Sequence, residues 1–180
     1  MGAVSGLVNG SSGPMVYGPS GRYTAWLHVA RNFARELAAS RMFLMEEDVE
    51  TIQQCVRDLL MLDHPGGLNV VDLGAGSGTT ALAVLDEDET VQITTVDIGE
   101  ANLDWAERAI RNAYPIARWA GFVMDAAAAA SVLVDGVDLL LHDASHERAN
   151  VEADLRAWLP RLAPRARIWV HDYSDPPAAW

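Results

Sequence analysis

Glycines at positions 74, 76 and 78, placed between a short apolar run and the start of a helical pattern, are the residues best suited to hold a ligand. In Val70-Val71-Asp72-Leu73-Gly74-Ala75-Gly76-Ser77-Gly78-Thr79-Thr80 the missing Cβ atoms let the backbone turn sharply and approach a ligand closely. The spacing narrows the ligand. A dinucleotide loop, G-x-G-x-x-G, needs Gly or Ala at 79, where this chain has Thr79, and a hydrolase elbow G-x-S-x-G around Ser77 fails because its flanks are Ala75 and Thr79. A glycine-rich turn with no ligand is the plainer alternative. Two further acids argue against it: Asp97 closes the next apolar strand, where a carboxylate can accept from ribose hydroxyls, and Asp125 follows the strand after that. Each alone would also serve as a cap for the helix it precedes. Further on lie Leu141-His142-Asp143-Ala144-Ser145-His146 and Val170-His171-Asp172-Tyr173. His142-Asp143-x-x-His146 imitates a zinc-protease H-E-x-x-H, but Asp is shorter than Glu and the segment leaves a strand instead of lying on a helix.

These residues need a scaffold, and the hydrophobic periodicity supplies one. Trp26, Val29, Phe33 and Leu37 repeat at helical spacing over 22–40, and Val49, Ile52, Val56 and Leu59 do so over 46–62, with Glu46, Glu47 and Asp48 at a favourable N-terminus. His64-Pro65-Gly66-Gly67 ends the second helix. Strands and helices then alternate: strands at 68–73, 91–96, 121–124, 137–141 and 167–170, helices at 79–85, 100–113, 126–132 and 147–162. Apolar strands alternating with helices predict an α/β fold, a doubly wound parallel sheet with helices on both faces. Organisation into a loop-like N-terminus over 1–21, N-terminal helices over 22–67 and an α/β unit over 68–180, with the last two forming one domain, fits the chain length of 180 residues.

Charge and composition exclude several functions. Acidic residues number 25 against 13 basic ones, for a net charge of -12, and all 13 are Arg. The absence of lysine removes a Schiff-base lysine, a Walker-type loop and a lysine general base. An acidic surface repels phosphate backbones, so no nucleic-acid partner is expected. No apolar run approaches the roughly 18 residues that cross a bilayer, so no membrane partner is expected either. Cys55 is the single cysteine, which rules out an intrachain disulfide and a thiolate cluster and favours a cytoplasmic setting. Met1–Pro19 has neither the charged nor the apolar region of a signal peptide.

The acid-x-G-x-G-x-G of Asp72 to Gly78 resembles the first motif of class I S-adenosylmethionine-dependent methyltransferases, and the resemblance extends over about residues 68 to 175. It implies a Rossmann-like sheet of order 3-2-1-4-5 and a cofactor held by Asp72, Gly74, Gly76, Ser77, Gly78, Asp97, Asp125 and Ala126, with the Asp125 position contacting the adenine amino group. Asp154-Leu155-Arg156-Ala157-Trp158 and His171-Asp172-Tyr173 are similar to elements of the branch with an aspartate-rich turn after strand four. In its metal-dependent members, acids at the ends of strands four and five hold Mg²⁺. By position this implies Asp143, Asp172 and His171 as ligands of Mg²⁺ or Mn²⁺, and a His171 ligand suits Mn²⁺ or Fe²⁺ better than hard Mg²⁺. Where catechol-type relatives carry a lysine base this chain has His146, so His146 and His171 are the implied catalytic residues.

The implied reaction is methyl transfer to an oxygen of a small-molecule acceptor. The family's sheet ends in a reversed hairpin of strands 6 and 7, which this sequence is expected to lack. The open edge would then be covered by the N-terminal helices or by a partner, in a homo-oligomer or with another chain. The competing expectation is a degenerate methyltransferase-like fold serving as a cofactor-binding or assembly module.

Overall fold

The computed structural model describes Leu44, residues 46–62 and residues 66–171. The expected 22–40 helix, the 1–21 segment and Asp172 lie outside the described residues. The elements are α1 (Glu46–Leu60), β1 (Asn69–Leu73), α2 (Thr79–Glu87), β2 (Gln92–Asp97), α3 (Glu100–Ala113), β3 (Arg118–Val123), α4 (Ala126–Ala129), β4 (Val137–His142), α5 (Arg148–Trp158) and β5 (Leu162–Val170), with a 3-10 turn at Leu159–Arg161. The five strands are parallel and ordered β3-β2-β1-β4-β5, as the sequence implies.

The central strands β1 and β4 are buried on both faces, since their runs are almost wholly apolar, whereas the edge strands β3 and β5 are largely exposed. Side-chain alternation divides the core in two. Val70, Ile93, Leu139 and Leu141 meet α1, α2 and α3 on one face, and Val71, Leu73, Val96 and Leu140 meet α4 and α5 on the other. Helix α1 lies against α2 through the buried Ile52, Val56 and Leu59. Arg57 to Glu87 at 2.6 Å and Arg167 to Asp58 at 3.0 Å tie it to α2 and β5. None of the described helices is long and apolar enough to cross a membrane.

The bounds of four elements need correction. Strand β3 occupies 118–123 rather than 121–124, since this exposed edge strand already opens at the charged Arg118; Arg118 reaches Gln92 and the Trp119 indole donates to Thr95 Oγ1 at 2.8 Å. The expected 126–132 helix stops at Ala129, where Ser131 and Val132 fold into a tighter turn on the carbonyls of Ala128 and Ala129. Helix α5 ends at Trp158 rather than 162, since Pro160 has no N–H to continue it, and β5 begins at Leu162 rather than 167. The early part of β5 was hidden by an irregularity: Val137 pairs with Leu162 but Leu139 with Arg167, and Arg165 takes a left-handed φ of 70° between them.

If α1 is an integral part of the core, Ile52→Ala should lower the unfolding free energy by about 2–5 kcal/mol in urea titration. A loss below about 1 kcal/mol would show that α1 is peripheral.

Candidate active site

Strand register places the functional residues in one row. Leu73 is opposite Val96 and His142, and His142 is opposite Val170, so the carboxyl ends of β1, β2, β4 and β5 finish at one level. The ladder then continues by one rung: Gly74 N–H donates to the Val96 carbonyl at 2.8 Å, Asp143 N–H to Leu73 at 2.8 Å, His171 N–H to His142 at 2.9 Å and Met124 N–H to Asp97 at 3.0 Å. The residues after the strands are fixed by backbone bonds before any side chain contributes.

The loop after β1 is built on close approach. Gly74 has φ 99°, and a Cβ there would lie 2.6 Å from the Asp143 carbonyl carbon and oxygen. Gly78, φ 81°, would place a Cβ 3.0 Å from the Cα of Ala106, so α3 rests directly on the loop. Asp97 secures the loop from the side: its Oδ2 accepts from Ala75 N–H at 2.9 Å, and its Oδ1 from Gly99 N–H at 2.7 Å. Asn102 also donates to both oxygens. Asp125 caps α4, accepting from Ala128 N–H at 2.9 Å.

Along this row runs a cleft of about 510 Å³ lined by Gly74, Val96, Asp97, Ile98, Met124, Asp125, Ala126 and Ala127, and across from them by Ala144, Ser145, Asn150, Ala153 and Asp154. Apolar walls with carboxylates at three points suit a nucleoside: a flat base against aliphatic side chains and hydroxyls on a carboxylate. Of the residues expected to bind cofactor, Gly74, Asp97, Asp125 and Ala126 border the cleft, whereas Asp72, Gly76, Ser77 and Gly78 do not line it. Asp72 is buried in β1 and accepts from Thr95 Oγ1 at 3.2 Å. Its burial, with lesser contributions from the charges of Asp143 and Asp97, pushes its pKa up to about 7.

At the other end of the row, Asp143, His146 and His171 converge, with one potential ligand atom from each lying within 4.8 Å of the others. His171 Nδ1 is 2.9 Å from Asp143 Oδ1, and its Nε2 is 3.4 Å from Asp48 Oδ2 on α1. The His146 and His171 rings stand 5.9 Å apart, and Trp169 packs against His171 at 5.5 Å. Among the described residues the cluster offers two imidazoles and one carboxylate, donors that suit a borderline divalent ion better than hard Mg²⁺, which takes oxygen ligands; Asp172, the other expected ligand, lies outside the described residues.

Sequence reasoning missed two participants. Asp48 carries no local signal, since its contact with His171 is purely tertiary. Asp154 does carry one, an acid one turn before Trp158 on the buried side of α5. His142, fully buried, places Nε2 2.9 Å from Asp154 Oδ2, while the Trp158 indole donates to the Ala126 carbonyl at 2.8 Å. The pair pins α5 to β4 under the cleft.

A Rossmann-like sheet of order 3-2-1-4-5 with a glycine loop and a nucleoside-sized cleft at its carboxyl edge defines the class I S-adenosylmethionine-dependent methyltransferase fold. Residues 71–173 match the family model described as a methyltransferase domain, and the chain belongs to that family. No protein of curated function matches the sequence. Among solved structures, a protein from Corynebacterium glutamicum is similar at 18% identity and TM-score 0.67, covering 82% of this chain and 67% of its own. An S-adenosylhomocysteine-bound methyltransferase from Podospora anserina matches at 15% and 0.67, covering 83% and 61%. An O-methyltransferase of tomaymycin synthesis from Streptomyces achromogenes, in complex with S-adenosylmethionine, matches at 13% and 0.67, covering 81% and 64%. The chain thus spans about two thirds of the length of these structures.

The buried Asp72 carboxyl has a pH signature. Its folded-state pKa of about 7 lies above the ordinary 3.8, so the folded protein holds this proton more tightly than the unfolded chain does. The stability it contributes is present in full below about pH 4 and is lost as pH rises towards 7. Asp72→Asn should therefore gain stability relative to the parent across that interval, by a few kcal/mol in denaturant titrations at stepped pH. A pH-independent difference would show that Asp72 is ionised throughout.

Proposed function

We propose that this methyltransferase carries the methyl group of S-adenosylmethionine to an oxygen of a small-molecule acceptor. The observation that supports the oxygen acceptor is the Asp143, His146 and His171 cluster, continuous with the Gly74 and Ala144 wall of the cleft. In the proposed reaction an acceptor oxygen attacks the methyl carbon in line, the O–C bond forms as the S–C bond breaks, and the sulfonium takes the electron pair to become a thioether. Asp97 and the glycine loop hold the nucleoside, and the strand ends align donor and acceptor. A hydroxyl is a poor nucleophile until it loses its proton, and the two imidazoles serve this need by taking that proton or by holding a divalent ion. An ion bound there would supply charge that acidifies the hydroxyl.

Binding is tested by calorimetry with S-adenosylhomocysteine. The parent should bind and Asp97→Ala should bind at least about 10-fold more weakly, a loss of about 1.4 kcal/mol. Tight NAD binding in its place would overturn the cofactor assignment. For turnover, His171→Ala should lower the rate on hydroxylated acceptors by about 100-fold or more with cofactor affinity unchanged. The second reading, a cofactor-binding module without turnover, is supported by β5, which pairs only with β4 among the described residues. Bound cofactor with no product across catechols, sugars and polyketide hydroxyls would favour it.

A further inference from the structure

Of the three carboxylates that line the cleft, Asp154 on α5 is the most buried, and it faces Asp97 and Asp125 from the opposite wall. Its Oδ2 lies 2.9 Å from Nε2 of the fully buried His142, whereas its Oδ1 has no hydrogen-bond partner among the described residues. A buried carboxylate tied from behind through one oxygen presents the other to the cleft it lines. We infer that Asp154 reads the base of the cofactor: its Oδ1 accepts from the exocyclic amino group of adenine, and His142 is the positioning residue that aims it. The inference rests on the S-adenosylmethionine reading of the cleft.

The orientation of the nucleoside follows from the reaction. The methyl group must reach the turn of Asp143, which packs against Gly74, so the sulfonium end lies beside Gly74. Ribose then falls on Asp97, which holds the loop at Ala75, and the base extends away along Ile98, Met124 and Ala126 towards α5. Trp158, one turn on from Asp154, donates to the Ala126 carbonyl and keeps Asp154 on that side of the cleft. The amino group is the only hydrogen-bond donor on the base. Asp125 is an exposed acceptor for it and already caps α4 through the Ala128 N–H. Asp154 is the buried one, where a missing partner costs most and discrimination is therefore greatest. His142 also settles which atom faces the base. A carboxylate only accepts, so His142 Nε2 carries the proton, and Nδ1, buried without a partner, leaves no place for the other tautomer's N–H.

Calorimetry of the full chain with two ligands tests this: S-adenosylhomocysteine, and S-inosylhomocysteine, in which a carbonyl oxygen replaces the amino group. The parent should bind the adenosyl compound at least about 10-fold more tightly. In Asp154→Asn the amide oxygen must take the His142 N–H, which turns the amide NH₂ towards the base; that donor suits the inosyl carbonyl, so the preference should fall to about 1 or invert. His142→Leu should lower the preference, and His142→Gln, which can donate from the same place, should restore it. Because the readout is a ratio of two affinities in one protein, a general loosening of the cleft cancels. Equal affinities in the parent, an unchanged preference in Asp154→Asn, or a preference that follows Asp125→Asn instead would overturn the assignment and leave the cofactor reading intact. So would equal loss of both ligands in Asp154→Asn, since Asp154 would then only hold the walls together. An unaltered preference in His142→Leu would remove His142 from it. A parent chain that binds neither compound would overturn the cofactor reading itself, and this assignment with it.

Discussion

The backbone register at the carboxyl edge of the sheet is the constraint on which the site depends. Parallel strands cannot slip by one residue without turning every core side chain to the wrong face, and here both faces are packed. Because the ladder continues one rung past the strands, Gly74, Met124, Asp143 and His171 inherit that rigidity. Their positions are therefore determined by apolar residues such as Val71, Leu139 and Leu140, which take no part in chemistry. The arrangement lets a site of short, exposed turns be as well ordered as the core beneath it.

Three polar contacts inside this core pair groups across elements. His142 with Asp154 and the Trp119 indole with Thr95 join a helix and an edge strand to the centre of the sheet, and the Trp158 indole with the Ala126 carbonyl joins α5 to α4. Leaving one partner unmatched in such a place costs about 1–3 kcal/mol, so these bonds select one seating of α5 and β3 over others of similar apolar burial. Burial of Asp72 runs the other way. The sheet accommodates it by favouring the neutral carboxyl, directly beneath a loop whose neighbours Asp97 and Asp143 are also acids.

Much of this was legible in the chain. Strands that combine an unbroken apolar run with a turn of glycine or acid after them, β1, β2 and β4, are identified to within a residue, and so is the amphipathic α3. Edge strands are harder, because β3 is mostly exposed and β5 carries Pro164 and Arg165 in its irregular half; neither shows a clean pattern. The glycine spacing and the strand-end acids point to the cleft because a ligand loop is local. The Asp48 to His171 contact is invisible in the sequence, since it depends on how α1 docks, and the His142 to Asp154 pair becomes legible only once α5 and β4 are known to be neighbours.

The contact between Gly74 and the peptide after Asp143 also bears on how such a protein can diversify. Cofactor loop and acceptor turn share one van der Waals surface with no slack, so neither can drift in sequence or length at that point without the other. Variation is freer a few residues outward, at Ile98, Glu147 and Arg148, where side chains meet solvent. New acceptor preferences in a lineage built on this scaffold would then arise at the rim, while the seam between Gly74 and Asp143 is inherited as a single piece.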